Sequence, residues 1–233
     1  HRPGAGPVGR LLATMFAPPE GGAVFEFRLE DSRLGKLAIP ASVPEAQRSG
    51  TVDGLWQHTC FEVFLGVPGE PQYREYNFSP SGQWAVYGFR AWRERDEDFA
   101  PAAAPDITCT QEDGTLVLEA YLPPELLPTV PAGTDLQVNL AAVIERKDGQ
   151  FEYWTLRHVA AQPDFHARAT FVPTLATPTH QPSLRHGAPR PFPPPSPARR
   201  PRPSPPSRRP ARLPPPPPGL LYTTPSPLSR PTP

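Results

Sequence analysis

The sequence predicts an all-β protein: an antiparallel, jelly-roll-like β-sandwich followed by a disordered Pro/Arg-rich C-terminal tail. Three observations carry this expectation. Ten short stretches rich in aromatic and β-branched residues recur between residues 23 and 175. Gly, Pro, Asp and Ser punctuate them, as they do in sandwiches and barrels. Helical periodicity is almost absent, since PPELLP at residues 123–128 allows one turn before its flanking prolines stop it.

In chain order, residues 1–20 read as an irregular N-terminal segment and residues 21–177 as the sandwich. The expected strands are Ala23 to Leu29, Leu34 to Ile39, Thr59 to Gly66, Gln72 to Ser79, Gln83 to Arg90, Ile107 to Thr110, Thr115 to Leu122, Leu136 to Glu145, Phe151 to Arg157 and Arg168 to Leu175. The turns between several of them are legible. GVPGEP closes a hairpin, SPSG at Ser79 to Gly82 makes a tight turn, and EDG and RKDGQ each supply an Asp-Gly pair that tolerates positive φ. Consecutive hairpins make residues 59–90 a three-stranded meander.

Composition separates the tail from the rest. Residues 178–233 hold 22 Pro and nine Arg but no Lys, Asp or Glu. Such a segment buries too little apolar surface to offset the entropy of ordering it, so it is expected to stay disordered or polyproline-II-like. Its PPPPP run and PxxP spacings would fit an SH3-type groove physically. An out-of-frame reading of GC-rich DNA would give the same composition.

Without the tail's nine Arg, 14 basic residues face 23 acidic ones, a balance of −9 hidden by the net zero of the whole chain. A domain that acidic repels phosphate backbones, which argues against nucleic acid as its partner, while the basic tail keeps weak anion binding open. No apolar run approaches the roughly 20 residues of a transmembrane helix. The chain opens HRPGAGPVGRLLATMF without an initiating Met and reads as a fragment or processed product. An upstream signal peptide stays open, and no compartment is assigned. Cys60 and Cys109 allow either one disulfide or two free thiols.

Strand alternation divides the meander into two faces. Thr59, Phe61, Val63 and Leu65 share one side, and Cys60, Glu62 and Phe64 the other. On the next strand Tyr73, Glu75 and Asn77 oppose Arg74, Tyr76 and Phe78. One face is therefore expected to close the core and the other to present a pocket.

The strings LWQHTCFEVFL, YREYNFSPSGQWAVYGF, AAVIERKDGQFEYWTLRH and PDFH, in that order, resemble the bacterial DOMON-like proteins, whose β-sandwich is shared by family 9 carbohydrate-binding modules. The resemblance runs from about Phe25 to Leu175 and ends where the tail begins. It implies a DOMON-like sandwich. For function it implies sugar binding, as in the carbohydrate-binding modules, or haem binding and electron transfer, as in cytochrome-type DOMON domains.

The residues allow both. Sugar binding needs exposed aromatic faces and hydrogen-bonding side chains. Trp56, Trp84, Trp92 and Trp154 supply faces; Glu62, Arg74, Glu75, Asn77 and Gln83 supply polar groups. Trp56 stands out because it follows Asp53-Gly54 at a loop-to-strand junction, whereas the other Trp suit the core. Glu62 and Arg74 on neighbouring strands could form a buried ion pair, Asp53, Glu75 and Asn77 could lend oxygen to calcium, and Glu62 with Glu75 could be a glycosidase pair. For haem, Met15 lies outside the expected strands, and His58, His158 and His166 show no ligand spacing. In PDFH, Pro163 sets a turn, Asp164 bonds its own backbone, and Phe165 is expected to plug one end of the sandwich. There is no nucleophile elbow, phosphate loop or zinc spacing.

The expectation is therefore a non-catalytic module without cofactor that binds a carbohydrate or other small polar ligand. Its candidate ligand residues are Trp56, His58, Glu62, Arg74, Glu75, Asn77, Trp84, Trp154, His158 and His166. A haem or redox domain is the alternative.

Overall fold

The computed structural model describes residues 9–131, 133–160 and 162–176, together with the backbone of Leu220–Leu221. Two antiparallel sheets pack face to face. The five-stranded sheet holds β1 (Arg10–Phe16), β2 (Ala23–Glu30), β8 (Thr115–Leu122), β7 (Asp106–Glu112) and the short β12 (Leu220–Leu221), in the order β12-β1-β2-β8-β7. The seven-stranded sheet runs β10-β9-β3-β4-β5-β6 through Phe151–Thr155, Leu136–Glu145, Cys60–Gly66, Tyr73–Phe78, Trp84–Ala91 and Glu94–Arg95, and β11 (Thr174–Leu175) pairs with β9.

The predicted meander is β3-β4-β5, and its register follows the expected turns. Gly82, at φ 87, donates its N–H to the Ser79 carbonyl. Asp113 (φ 43) and Gly114 (φ 77) form the two-residue turn between β7 and β8, where a primed turn matches strand twist.

Between the sheets lies the main core. Phe25, Phe27 and Leu29 of β2 and Leu116, Leu118 and Leu122 of β8 meet Phe61, Val63 and Leu65 of β3 and Leu136, Val138 and Leu140 of β9. Phe27 and Phe61 join the layers, their ring centroids 5.1 Å apart.

Burial on the two sheets follows different rules. In β2 and β8 it alternates, as expected where one face packs and the other meets solvent. In β3 every residue is buried, and β4 is buried throughout except for the partly exposed Arg74. The outer face of the seven-stranded sheet is therefore covered as well, and it carries a second apolar cluster of Phe64, Tyr73, Ala141, Val143, Phe165 and Phe171.

Four expectations need correction. Residues 10–16, assigned to an irregular segment, form β1, whose buried Leu11 and Ala13 alternate with Leu12 and Thr14 and pair with β2. Leu34 to Ile39 is no strand. Asp31 Oδ1 accepts the Arg33 N–H at 2.7 Å and the Asp31 carbonyl accepts that of Leu34, which starts a 3-10 turn at Leu34–Lys36. Leu34 and Leu37, three apart, are the residues buried there. Arg168 to Leu175 divides into a 3-10 turn at Arg168–Thr170 and the two-residue β11, because Thr170 bonds back to the Ala167 carbonyl and Pro173 interrupts. Phe165 packs on the outer face and not at the end of the sandwich. Of the tail, the described residues include only Leu220–Leu221, whose backbone pairs with Leu12 and Ala13; residues 178–219 and 222–233 lie outside them.

Candidate functional site

The outer face of the seven-stranded sheet is built in cross-strand rows. Register places Ala141, Glu62, Asn77 and Ala85 side by side on β9, β3, β4 and β5, and Asn139, Phe64, Glu75 and Tyr87 in the adjacent row. Two chain segments roof these rows. The first runs from Thr51, bridged to Trp84, through the turn at Leu55–Gln57, which packs on β3 and β4. The second is Pro163–Phe171, held down at several points.

Asp164 is its latch. One carboxylate oxygen accepts the Trp92 indole N–H at 3.0 Å, and the other accepts an N–H from the Arg93 guanidinium at 3.0 Å and the His166 backbone N–H at 3.2 Å. Arg93 adopts φ 56 in the turn joining β5 to β6, and its backbone N–H donates to the Tyr73 hydroxyl at 3.1 Å. The Tyr73 hydroxyl lies 2.8 Å from His166 Nδ1. Every donor finds an acceptor if the Tyr73 O–H donates to Nδ1, which leaves the His166 proton on Nε2, 3.7 Å from Glu75 Oε2. Asn139 donates to the Phe165 carbonyl at 3.0 Å, and Arg168 donates to the Val67 carbonyl and to Gln137.

Beneath the roofs, polar groups outnumber their partners. Asn77 Nδ2 donates to Glu75 Oε1 at 2.9 Å, but Asn77 Oδ1 is buried with no hydrogen-bond partner. Glu62, 3 % exposed, has no hydrogen-bond partner among the described residues. Burial first, and then repulsion from Glu75, push the Glu62 carboxyl well above the usual carboxylate range. Glu75 is pushed up to about 7 by burial, which outweighs the bond from Asn77 and the fields of Arg93 and Arg95. His166 is pushed down to about 4, again mainly by burial, and is neutral at pH 7. The buried row thus sets two carboxyls whose charged form burial disfavours beside an amide and a neutral imidazole.

The rim is exposed and charged. Tyr87 donates to Asp53 Oδ1 at 2.6 Å, which holds Asp53 below its ordinary value, and the Arg95 guanidinium lies 4.3 Å from the Tyr87 ring centroid. Trp56 and Trp92 are 50 % and 61 % exposed, unusual for so large an aromatic.

Of the ten residues expected to bind ligand, Glu62, Glu75, Asn77 and His166 come together on the outer face. Trp56 lies on its first roof. His58 is exposed beside its edge, with Nδ1 2.8 Å from Glu145. Trp84 and Trp154 do not join the site: both are buried in the main core, Trp84 donating to the Arg48 carbonyl. His158 is exposed and does not join this cluster among the described residues. Arg74 belongs to the opposite face, so the expected ion pair with Glu62 does not form; its Nη1 donates instead to the Leu126 carbonyl at 2.8 Å. Met15 of the haem alternative lies on β1, in the other sheet, packed against the main core. Both cysteines are free thiols. Among the described residues no three His, Cys, Asp or Glu side chains form a metal-holding group.

Sequence reasoning missed Tyr73, Tyr87, Asn139, Asp164 and Arg93 as members of this constellation. Asn139 left one signal, an amide in the middle of the apolar run LQVNLAAV.

No protein-family profile matches the chain, and no curated protein matches it. Among solved structures it is similar to a Bacteroides uniformis protein with an inferred carbohydrate-binding function. The two share 16 % identity over 72 % of this chain and 73 % of that one, with a TM-score of 0.50. At that identity the likeness concerns the fold.

Proposed function

We propose that the protein is a non-catalytic, DOMON-like binding module that takes a carbohydrate on the outer face of its seven-stranded sheet. The observation that carries this reading is the buried row in which, among the described residues, Asn77 Oδ1 is left without a hydrogen-bond partner beside the buried Glu62 carboxyl. Buried polar groups left unpaired cost about 1–3 kcal/mol each, so a site that keeps them is suited to a ligand that pairs them. Sugar hydroxyls donate to carboxyl and amide oxygens without bringing charge into a low-dielectric site. Trp56 and Trp92 offer exposed aromatic faces at the rim for the apolar face of a pyranose ring. The likeness to a protein of inferred carbohydrate-binding function supports the same reading.

The test is a thermal-shift screen of neutral mono- and oligosaccharides, because a ligand that binds only the folded state raises Tm. A sugar that stabilises the wild type should bind Trp92→Ala and Trp56→Ala about tenfold more weakly, the effect of losing about 1.4 kcal/mol of contact. A panel that leaves Tm unchanged, or a stabilising sugar indifferent to both substitutions, overturns the reading.

A further inference from the structure

A concavity lies at one edge of the same sheet, lined by Arg74 and Gly88 of its other face and by Tyr73 and Phe89 of the outer one. It is a cleft of about 390 Å³ at the rim of the main core, lined by residues of β3, β4 and β5 and by the segments around Phe99 and Pro128. That volume falls toward the small end of ligand pockets, which run about 300–1,000 Å³. Its distinguishing feature is Arg74. Arg10, Arg28, Arg33, Arg90, Arg93, Arg95 and Arg146 each have a carboxylate within 4 Å. Arg74 has none among the described residues, as is also true of Arg48, Arg157 and Arg168, but of these four only Arg74 lines the cleft, where it is partly buried. Its guanidinium is fixed all the same: Nη1 is bonded to the Leu126 carbonyl at 2.8 Å, and the group lies 5.1 Å from the Phe99 ring centroid.

We propose that this cleft binds a small hydroxylated monocarboxylate, a uronic acid being the class that fits, with Arg74 receiving the carboxylate. A guanidinium already positioned by a backbone carbonyl and an aromatic ring presents its fork to a planar carboxylate with little loss of freedom. The charge balance selects a monoanion. Arg90, also in the cleft wall, is held by Asp96 at 2.6 Å and by Asp98, and Glu70 and Asp96 in the wall repel a dianion such as phosphate. Gln72 and Thr129 supply polar contacts for hydroxyls, and Phe99 and Pro128 an apolar wall for a sugar ring. Gly88 lets Phe99 seat directly on β5, because a Cβ there would come within 2.7 Å of the Phe99 ring, and so fixes the position of the cleft's apolar wall. The cleft shares Tyr73 and Phe89 with the outer face but none of Trp56, Glu62, Asn77 or Trp92, so Arg74 and Gly88 test it apart from that face.

Calorimetric titration of the full chain with glucuronic acid, glucose and inorganic phosphate tests the proposal. Glucuronic acid should bind, with glucose and phosphate at least tenfold weaker. Arg74→Lys, which keeps the charge and loses the fork, should weaken glucuronic acid at least tenfold, Gly88→Ala should weaken it by displacing Phe99, and Thr108→Ala, on the exposed face of the five-stranded sheet, should leave it unchanged. Near-UV circular dichroism shows whether each variant keeps the native fold, and Gly88→Ala decides the matter if Arg74→Lys does not fold. No binding of glucuronic acid, equal binding of phosphate, or binding that depends on neither Arg74 nor Gly88 overturns the proposal.

Discussion

Two glutamates buried side by side make the stability of this fold depend on pH in a direction that can be worked out. Glu75 moves from an ordinary value of 4.5 up to about 7, and Glu62 also moves well above 4.5. The folded state therefore holds protons that the unfolded chain has released. The stability this confers is fully present below pH 4.5 and is lost as pH rises through the folded values. His166 works oppositely but only between about 4 and 6.5, so above pH 6.5 it is silent. Melting temperature should consequently fall between pH 6.5 and 8.5, and Glu62→Gln, which replaces an unpartnered carboxylate by a neutral isostere, should flatten that slope. At pH 8.5 the variant should be about 1–3 kcal/mol more stable than the wild type, the order for a buried unsatisfied group. Denaturation followed across that pH range checks both; an unchanged slope in the variant would remove Glu62 as its cause. At this scale the sequence was informative in part. Alternation put Cys60, Glu62 and Phe64 on one face, with Glu75 and Asn77 beside them, because strand geometry is local. It did not reveal that Arg74 turns away from Glu62 toward the Leu126 carbonyl, since that acceptor lies 52 residues further along the chain.

Among the elements, the strap Pro163–Phe171 decides access to the buried row. Asp164 gathers three N–H donors, from Trp92, Arg93 and His166. Asp164→Ala should speed amide exchange of residues 163–171 and of the Trp92–Arg93 turn while leaving β2 and β8 protected, which hydrogen exchange resolved by peptide would show. A second anchor is the slot at Gly66. A Cβ there would lie 1.5 Å from Arg168 Nη1, so Gly66→Ala must unseat Arg168 and loosen the same strap. Equal exchange in wild type and both variants would mean that these contacts do not hold it. The strands of the meander, β8 and β9 were legible because their patterns and turns agree. The strap was not, because its conformation depends on partners in β4, β5 and β9, and β1 was hidden because RLLATMF alternates only weakly without β2 beside it.

For the molecule as a whole, stability rests on the seam between the sheets, where Phe27 meets Phe61. Phe27→Ala should cost about 3–5 kcal/mol in denaturant unfolding, the range for a large aromatic removed from a packed core. If the seam were peripheral the loss would be below about 1 kcal/mol. The sandwich class followed from composition and punctuation, but the difference between its two outer faces did not, because coverage by distant segments leaves no mark on strand periodicity. That difference is the basis of the functional reading: one sheet is wet on its outside, and the other carries a roofed polar row with exposed tryptophans at its rim. The most direct test is an amide chemical-shift titration of the full chain with whichever neutral sugar stabilises it most. The account predicts perturbations concentrated on β3, β4 and the Pro163–Phe171 strap. Perturbations confined to the five-stranded sheet, or none at saturating sugar, would contradict it.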